Sequence, residues 1–183
     1  GIGVPRKNIL VVDGGSTDGT IEIARSKGVR VILQEGRGKA DAIKTAAKHI
    51  ETPYALFMDG DYTYPAKHIP QLLQKIREGY DLVIGWRCFN PRSQPWVFRI
   101  GNRVLSTFFN LLFGTKLHDV LSGMYIIKTG ILRELMFETR GFGIESEIAA
   151  HVVSTTGSVA ETPIEYRRRL GKKKLGIKHG LQI

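Results

Sequence analysis

One cysteine, Cys88, is all the chain contains, so no intramolecular disulfide holds it together, which fits a reducing compartment. Long hydrophobic runs are missing too. The greasiest stretch, Val97 to Phe113, is broken by Arg99, Asn102, Arg103 and Asn110 and does not read as a membrane span. There is no internal repeat, no low-complexity tract and no complete P-loop spacing. Acidic residues are scarce, 17 against 27 Lys and Arg, for a net charge of +10. The imbalance is local. Arg167, Arg168, Arg169, Lys172, Lys173, Lys174 and Lys178 lie between Arg167 and Ile183 with no acid among them, so seven of the ten net charges belong to this segment. Such a run meets phosphate, in nucleic acid, lipid headgroups or a diphosphate, or stands as a solvated end. What is present, 183 residues with 42% hydrophobic and 24% charged, suits one globular domain with a substantial core and excludes disorder throughout.

The apolar runs alternate in length and period. Asn8 to Val12 reads as a strand ending at Asp13, Thr20 to Lys27 as a helix stopped by Gly28, and Val29 to Gln34 as the next strand. Lys39 to Ile50 is helical, Tyr54 to Met58 a buried strand, His68 to Glu78 a helix with Ile69, Leu72, Leu73 and Ile76 on one face, and Leu82 to Gly85 a strand. The long amphipathic segment Val97 to Leu112 follows, then a strand near Gly123 to Lys128, a helix from Glu145 to Ser154 and a strand around Ser158 to Ile164. This alternation predicts an α/β fold with a mainly parallel sheet flanked by helices, the later strands not necessarily parallel.

Two acidic signatures sit directly after strands, where open α/β sheets bind ligands. In Val11 to Thr20, Asp13 ends a strand, Gly14 and Gly15 permit a sharp turn, and Ser16, Thr17 and Asp18 precede a helix. Backbone N–H groups and carboxylates converge there, to hold phosphate or simply to cap the helix through Ser16 or Asp18. Gly36 to Ala40 is likewise either a phosphate-approaching loop or a helix start. In Ala55 to Pro65, Asp59 and Asp61 flank Gly60 at the end of a buried strand. Two like charges held that close are tolerated best beside a cation, and their hard oxygens suit Mg²⁺ or Mn²⁺; the alternative is a solvent-exposed turn.

The ordered set Asp13-Gly14-Gly15-Ser16-Thr17-Asp18-Gly19-Thr20, Gly38-Lys39-Ala40 and Asp59-Gly60-Asp61 resembles family 2 glycosyltransferases of the GT-A (nucleotide-diphospho-sugar transferase) fold. His118-Asp119-Val120-Leu121-Ser122-Gly123-Met124-Tyr125 resembles the Asp-x-x-Ser-Gly-Phe-Arg segment of the polyprenyl-phosphate branch, which includes dolichyl-phosphate mannose and glucose synthases. Arg168 to Leu175 resembles that branch's Arg-x-x-Gly-x-Ser-Lys-Leu ending. The resemblance implies a metal-dependent, inverting hexosyltransferase that moves sugar from a UDP- or GDP-sugar to a dolichyl or polyprenyl phosphate, peripheral at the cytoplasmic face of a membrane. Carried over, it puts Asp13, Gly15, Asp18, Lys39, Asp59 and Gly60 against the nucleotide-sugar and Asp59 and Asp61 on the metal. Arg87, Arg99, Arg103, Ser122, Arg168 and Lys174 become candidates for the acceptor phosphate, and Asp61, Arg99 and Arg168 for catalysis.

A lipid monophosphate is already anionic near neutral pH, so positioning arginines matter more than a strong base. For a sugar-hydroxyl acceptor, Glu145 or Glu147 is the candidate base, although both also suit a helix N-terminus. Trp96 to Phe113 carries an aromatic-rich apolar surface with Arg99 and Arg103 one turn apart, either an interfacial helix over residues 97–113 or a helix packed on the sheet. Departures exist: Gly14 stands where the family commonly has a second aspartate, Lys173 replaces a serine, and Met124-Tyr125 stands for Phe-Arg. The Gln-x-x-Arg-Trp element of processive synthases is not found, which argues against a polymerase. Only Gly1 to Lys7 precede the Asp13 strand, whereas the family has a further strand and helix there. The expectation is therefore a native gene encoding a longer N-terminus ahead of a single domain over residues 1–183, with membrane helices following the counterpart of Ile183 in some relatives. The competing classes are a soluble transferase with a sugar or small phosphorylated acceptor, and a non-catalytic basic module binding membrane or nucleic acid; on the enzyme reading, no nucleic acid is expected as a partner.

Overall fold

The computed structural model describes residues 3–89, 95–135 and 143–170. Lys174 and the rest of 171–183 lie outside the described residues. Among the described residues, six strands and six α-helices follow in the order β1 (Leu10–Asp13), α1 (Thr20–Ser26), β2 (Arg30–Leu33), α2 (Gly38–Ala47), β3 (Tyr54–Phe57), α3 (Ile69–Arg77), β4 (Leu82–Phe89), α4 (Trp96–Phe113), β5 (Tyr125–Lys128), α5 (Thr129–Glu134), α6 (Ile144–Thr155) and β6 (Val159–Tyr166). The strands form two sheets among the described residues. β1 pairs with β2 in parallel, and the other four lie in the order β3-β5-β4-β6. In this larger sheet β3, β4 and β6 point one way while β5 runs against β3 and β4.

Alternation along the strands divides the core into two layers. Leu82, Ile84, Tyr125 and Ile127 face one side, where Ala40 and Ile43 of α2, Phe109 of α4 and Ile144, Ile148 and Val152 of α6 cover them. Val83, Met124, Ile126 and Ile164 face the other, packed on Leu72 and Ile76 of α3. Helices on both faces of a sheet require strands buried on both sides, and the near-continuous apolar β4 and β5 supply them.

Two elements depart from the sequence pattern. β4 does not stop at Gly85 but continues to Phe89, because β6 pairs with it over the whole length from Leu82↔Val159 to Phe89↔Tyr166. β5 accompanies β4 only over Leu82–Ile84, so Trp86 and Arg87 project beyond the end of β5 toward the site. The short helix α5, opened by Thr129 and Gly130, follows β5 directly and was hidden by its length. Gly85 shows how tight this junction is: a Cβ there would lie 2.8 Å from Ile164 Cδ1 and 3.2 Å from the Met124 carbonyl oxygen. Gly85→Ala is expected to destabilise the fold by about 1–3 kcal/mol through overpacking, read from urea unfolding. A loss below 0.5 kcal/mol, on the order of a neutral surface change, would contradict that packing.

Candidate active site

The site gathers at the ends of β1, β3 and β4. Asp13 closes β1, buried, and its Oδ1 accepts the backbone N–H groups of Gly15 (2.8 Å) and Ser16 (2.6 Å). The Ser16 N–H holds this carboxyl below its ordinary range against the opposing effect of burial. Gly15 takes φ +90°, a conformation that excludes most side chains. Gly14 faces Gln34: a Cβ would sit 3.1 Å from Gln34 Oε1. Neither Ser16 nor Asp18 is the helix cap. Gly19 occupies that position in a left-handed conformation, while the exposed Asp18 accepts from Thr20 N (3.2 Å) and Thr20 Oγ1 (2.6 Å).

Lys39, in the first turn of α2, is the hub of a second cluster. Its Nζ lies 2.7 Å from Asp59 Oδ1 and also pairs with Glu145 Oε1 from the first turn of α6. Burial works against the lysine charge, yet Glu145 and Asp59 hold the ammonium well above the ordinary lysine range. Burial raises the Glu145 carboxyl even against the pull of Lys39. Of the two acids in the first turn of α6, Glu145 reaches the cluster, and Glu147, two residues on, is half-buried. Gly123 borders the cluster closely, since a Cβ would fall 2.5 Å from Asp59 Oδ2 and 2.9 Å from Lys39 Nζ. Tyr125, almost wholly buried, has a hydroxyl with no hydrogen-bond partner among the described residues.

The loop after β3 is strained where it turns. Gly60 is exposed, and the next residue but one, Tyr62, adopts φ +73°, an outlier for a bulky side chain. Asp61 stabilises the turn by accepting from Thr63 N (3.1 Å) and Thr63 Oγ1 (2.5 Å). Its Oδ2 meets Arg169 Nε at 3.1 Å, and its carbonyl accepts from Leu170 N at 3.3 Å. The first part of the basic segment is thus laid along this loop, with Arg167 N donating to Thr63 O (2.9 Å) and the Arg167 guanidinium over the Tyr62 ring (5.0 Å). Arg169, not the exposed Arg168, is the cation on Asp61; within a run of three arginines the sequence offers no means of choosing.

A cavity of about 490 Å³ is lined by Trp86, Arg87, Arg99, Arg103 and His118 among others. Arg87 is buried and forked onto Asp119 through Nε (2.6 Å) and Nη2 (2.7 Å), while its own backbone N–H donates to the same carboxylate (3.1 Å). Burial disfavours the guanidinium charge, but Asp119 restores it. Arg99 and Arg103 line the cavity from α4, as their one-turn spacing requires. Ser122 falls elsewhere: it is buried, and its hydroxyl donates to Gly85 O at 2.5 Å, tying the approach of β5 to β4. Sequence reasoning missed Glu161 of β6, which accepts from the backbone of both His118 and Asp119. The strand itself gave no means of choosing it, since β6 also carries Thr162 and a second acid, Glu165.

No three His, Cys, Asp or Glu side chains converge as a metal cage among the described residues. The donor set instead fits a divalent ion carried in with its ligand. Asp59 and Asp61 supply hard oxygens, each now balanced by a cationic side chain, and Mg²⁺-type ions commonly use one or two carboxylates together with substrate phosphates.

Strand-end carboxylates, a glycine turn and an arginine cavity thus lie together on an α/β sheet of GT-A type. Glucosyl-3-phosphoglycerate synthase from Mycobacterium tuberculosis, solved with Mn²⁺, UDP-glucose and phosphoglyceric acid, superposes with a TM-score of 0.75 at 24% identity, covering 90% of this chain and 61% of that one. The sequence model for Glycosyl transferase family 2 matches residues 3–136, and the chain belongs to that family. Among curated relatives, the glycosyltransferase AglJ of Haloferax volcanii is 38% identical over 165 residues, 88% of this chain and 54% of its own length. The dolichyl-phosphate hexose transferase of the same organism is 34% identical over 171 residues, 93% of this chain and 74% of its own. The chain therefore spans about half the length of the first of these relatives.

Proposed function

We propose that the chain transfers a hexose from a UDP- or GDP-sugar to a polyprenyl or dolichyl phosphate at a membrane surface. The observation that carries this reading is the arginine-lined cavity bordered by an outward apolar face of α4. On that face Trp96, Val97, Ile100, Val104, Phe108, Leu111 and Leu112 are all exposed, within less than half the helix circumference. Arg99 and Arg103 stand at its edge, and α4 contains no acid. This is the distribution of a helix lying in a lipid interface. No described helix is long and apolar enough to cross a membrane. The family membership and the named dolichyl-phosphate relative support the same acceptor class.

In this mechanism Asp13 shapes the turn that receives the nucleotide, with Asp18 beside it. Lys39 lies against the donor diphosphate, held in place by Asp59 and Glu145. Asp59 and Asp61 would hold a Mg²⁺ or Mn²⁺ ion, which would supply positive charge at the leaving diphosphate. Arg99 and Arg103 bring the acceptor phosphate to the sugar, and the paired Arg87–Asp119 fixes the cavity wall. One phosphate oxygen forms the bond to the sugar anomeric carbon from the face opposite the diphosphate. The anomeric carbon–oxygen bond to the diphosphate breaks, and its electron pair leaves with the nucleotide. The acceptor is already anionic, so no side chain need remove a proton from it.

The test is incubation with Mn²⁺ or Mg²⁺, radiolabelled UDP- and GDP-sugars and a polyprenyl phosphate. Label is expected in the organic-extractable lipid. Label in a water-soluble product alone would replace the lipid with a small phosphorylated or sugar acceptor. Salt-sensitive nucleic-acid binding without transfer or nucleotide-sugar binding would replace the enzyme reading altogether.

A further inference from the structure

His118 has an arrangement that the resemblance does not explain. Its Nδ1 lies 2.9 Å from Glu161 Oε2, and its backbone N–H donates to the same oxygen at 2.7 Å. Glu161 Oε1 accepts the Asp119 N–H at 3.0 Å. The carboxylate, itself largely buried, therefore binds three donors of one turn and fixes both the backbone and the ring. The imidazole is also stacked on Trp86, with centroids 4.9 Å apart and planes 21° apart. Held on one face and at one nitrogen, the ring still borders the arginine cavity and is 58% exposed.

The geometry points to His118 as an anion-binding residue of this cavity, oriented by Glu161, which takes the phosphate of a phosphomonoester in its protonated form. A carboxylate at Nδ1 fixes the proton there and makes Nε2 the remaining polar atom of the ring. As an imidazolium, the ring donates one N–H to Glu161 and has a second for a phosphate oxygen. Five charged groups face it: Glu161 of β6, which holds Nδ1, Arg99 and Arg103 of α4, and the Arg87–Asp119 ion pair. An anion between the arginines and the ring is attracted by an imidazolium and not by a neutral imidazole, so anion and proton bind cooperatively. Affinity is then highest on the acid side and falls as the ring gives up its proton. Glu161 is a positioning residue that acts through His118.

This inference rests on the acceptor-phosphate reading of the cavity, and inorganic sulfate separates the two. Sulfate remains a dianion throughout pH 5.5 to 8, so any pH dependence belongs to the protein. Its binding is followed by NMR titration at constant ionic strength. The wild-type affinity is expected to fall about tenfold across that interval. His118→Asn, which keeps a donor for Glu161 but neither charge nor Nε2, is expected to bind with no such fall. Glu161→Gln is expected to displace the fall toward lower pH, an effect that a merely structural role would not produce. A flat wild-type profile, or an undiminished fall in His118→Asn, overturns the proposal. Arg103→Gln should weaken sulfate binding at every pH. If it does so while the wild-type profile is flat, the cavity reading stands and the role of His118 falls; if it has no effect, the cavity does not hold the anion and both fall.

Discussion

Asp61→Asn is expected to lower sugar transfer by roughly 10²–10³-fold while the protein remains folded. Asparagine keeps the volume of the side chain and an oxygen for Thr63 N and Thr63 Oγ1, so the turn at Tyr62 is retained. What it removes is the negative charge, now balanced by Arg169, that would hold a divalent ion beside the donor diphosphate. Charge stabilisation at a leaving group acts more strongly in the transition state than in the bound substrate, so the defect belongs mainly in kcat. Two measurements check this: turnover at saturating donor and metal, and the thermal midpoint with Mn²⁺ and UDP added. The wild type should gain stability from Mn²⁺ and UDP together, and the variant should gain much less. A variant within tenfold of wild-type turnover, with its stabilisation by Mn²⁺ intact, would remove Asp61 from the metal site.

The alternating elements were legible because their periods differ: the helical face of Ile69, Leu72, Leu73 and Ile76 and the short apolar strands signal themselves locally. β4 beyond Gly85 was not. Trp86, Arg87, Cys88 and Phe89 form a strand because β6 lies alongside, a long-range pairing with no local signature. The reversal of β5 is invisible for the same reason. At the site, the acids announced themselves by following strands, but their partners did not. Glu145 reaches Lys39, and Asp119 reaches Arg87 across 32 residues, through the topology alone. Resemblance supplied Asp119 as part of a motif without giving its task. Ser122, from the same motif, went instead to the β4 backbone because its short side chain is buried there.

Asp119→Ala is expected to lower stability by about 3–5 kcal/mol, because it leaves a buried guanidinium without its counter-charge. That corresponds to a fall in thermal midpoint of about 6–20 °C for a chain of this size. Three donors lose their acceptor at once: Arg87 Nε, Nη2 and the Arg87 backbone N–H. Tyr166 presents its ring to the guanidinium carbon at 5.4 Å and the nearby Tyr64 hydroxyl already accepts Gly123 N at 2.8 Å, and neither replaces a carboxylate. Replacing the pair together by Arg87→Met and Asp119→Leu should recover much of the lost stability, because apolar groups of similar volume need no counter-charge. It should not recover transfer, since the cavity wall would lose the fork that fixes the His118–Asp119 turn beside Arg99 and Arg103. Urea unfolding of the single and double variants gives the coupling energy, and acceptor KM gives the functional half. A loss below about 1 kcal/mol in Asp119→Ala, the range of exposed ion pairs, would mean that water reaches Arg87 and that the pair is not the wall the cavity depends on.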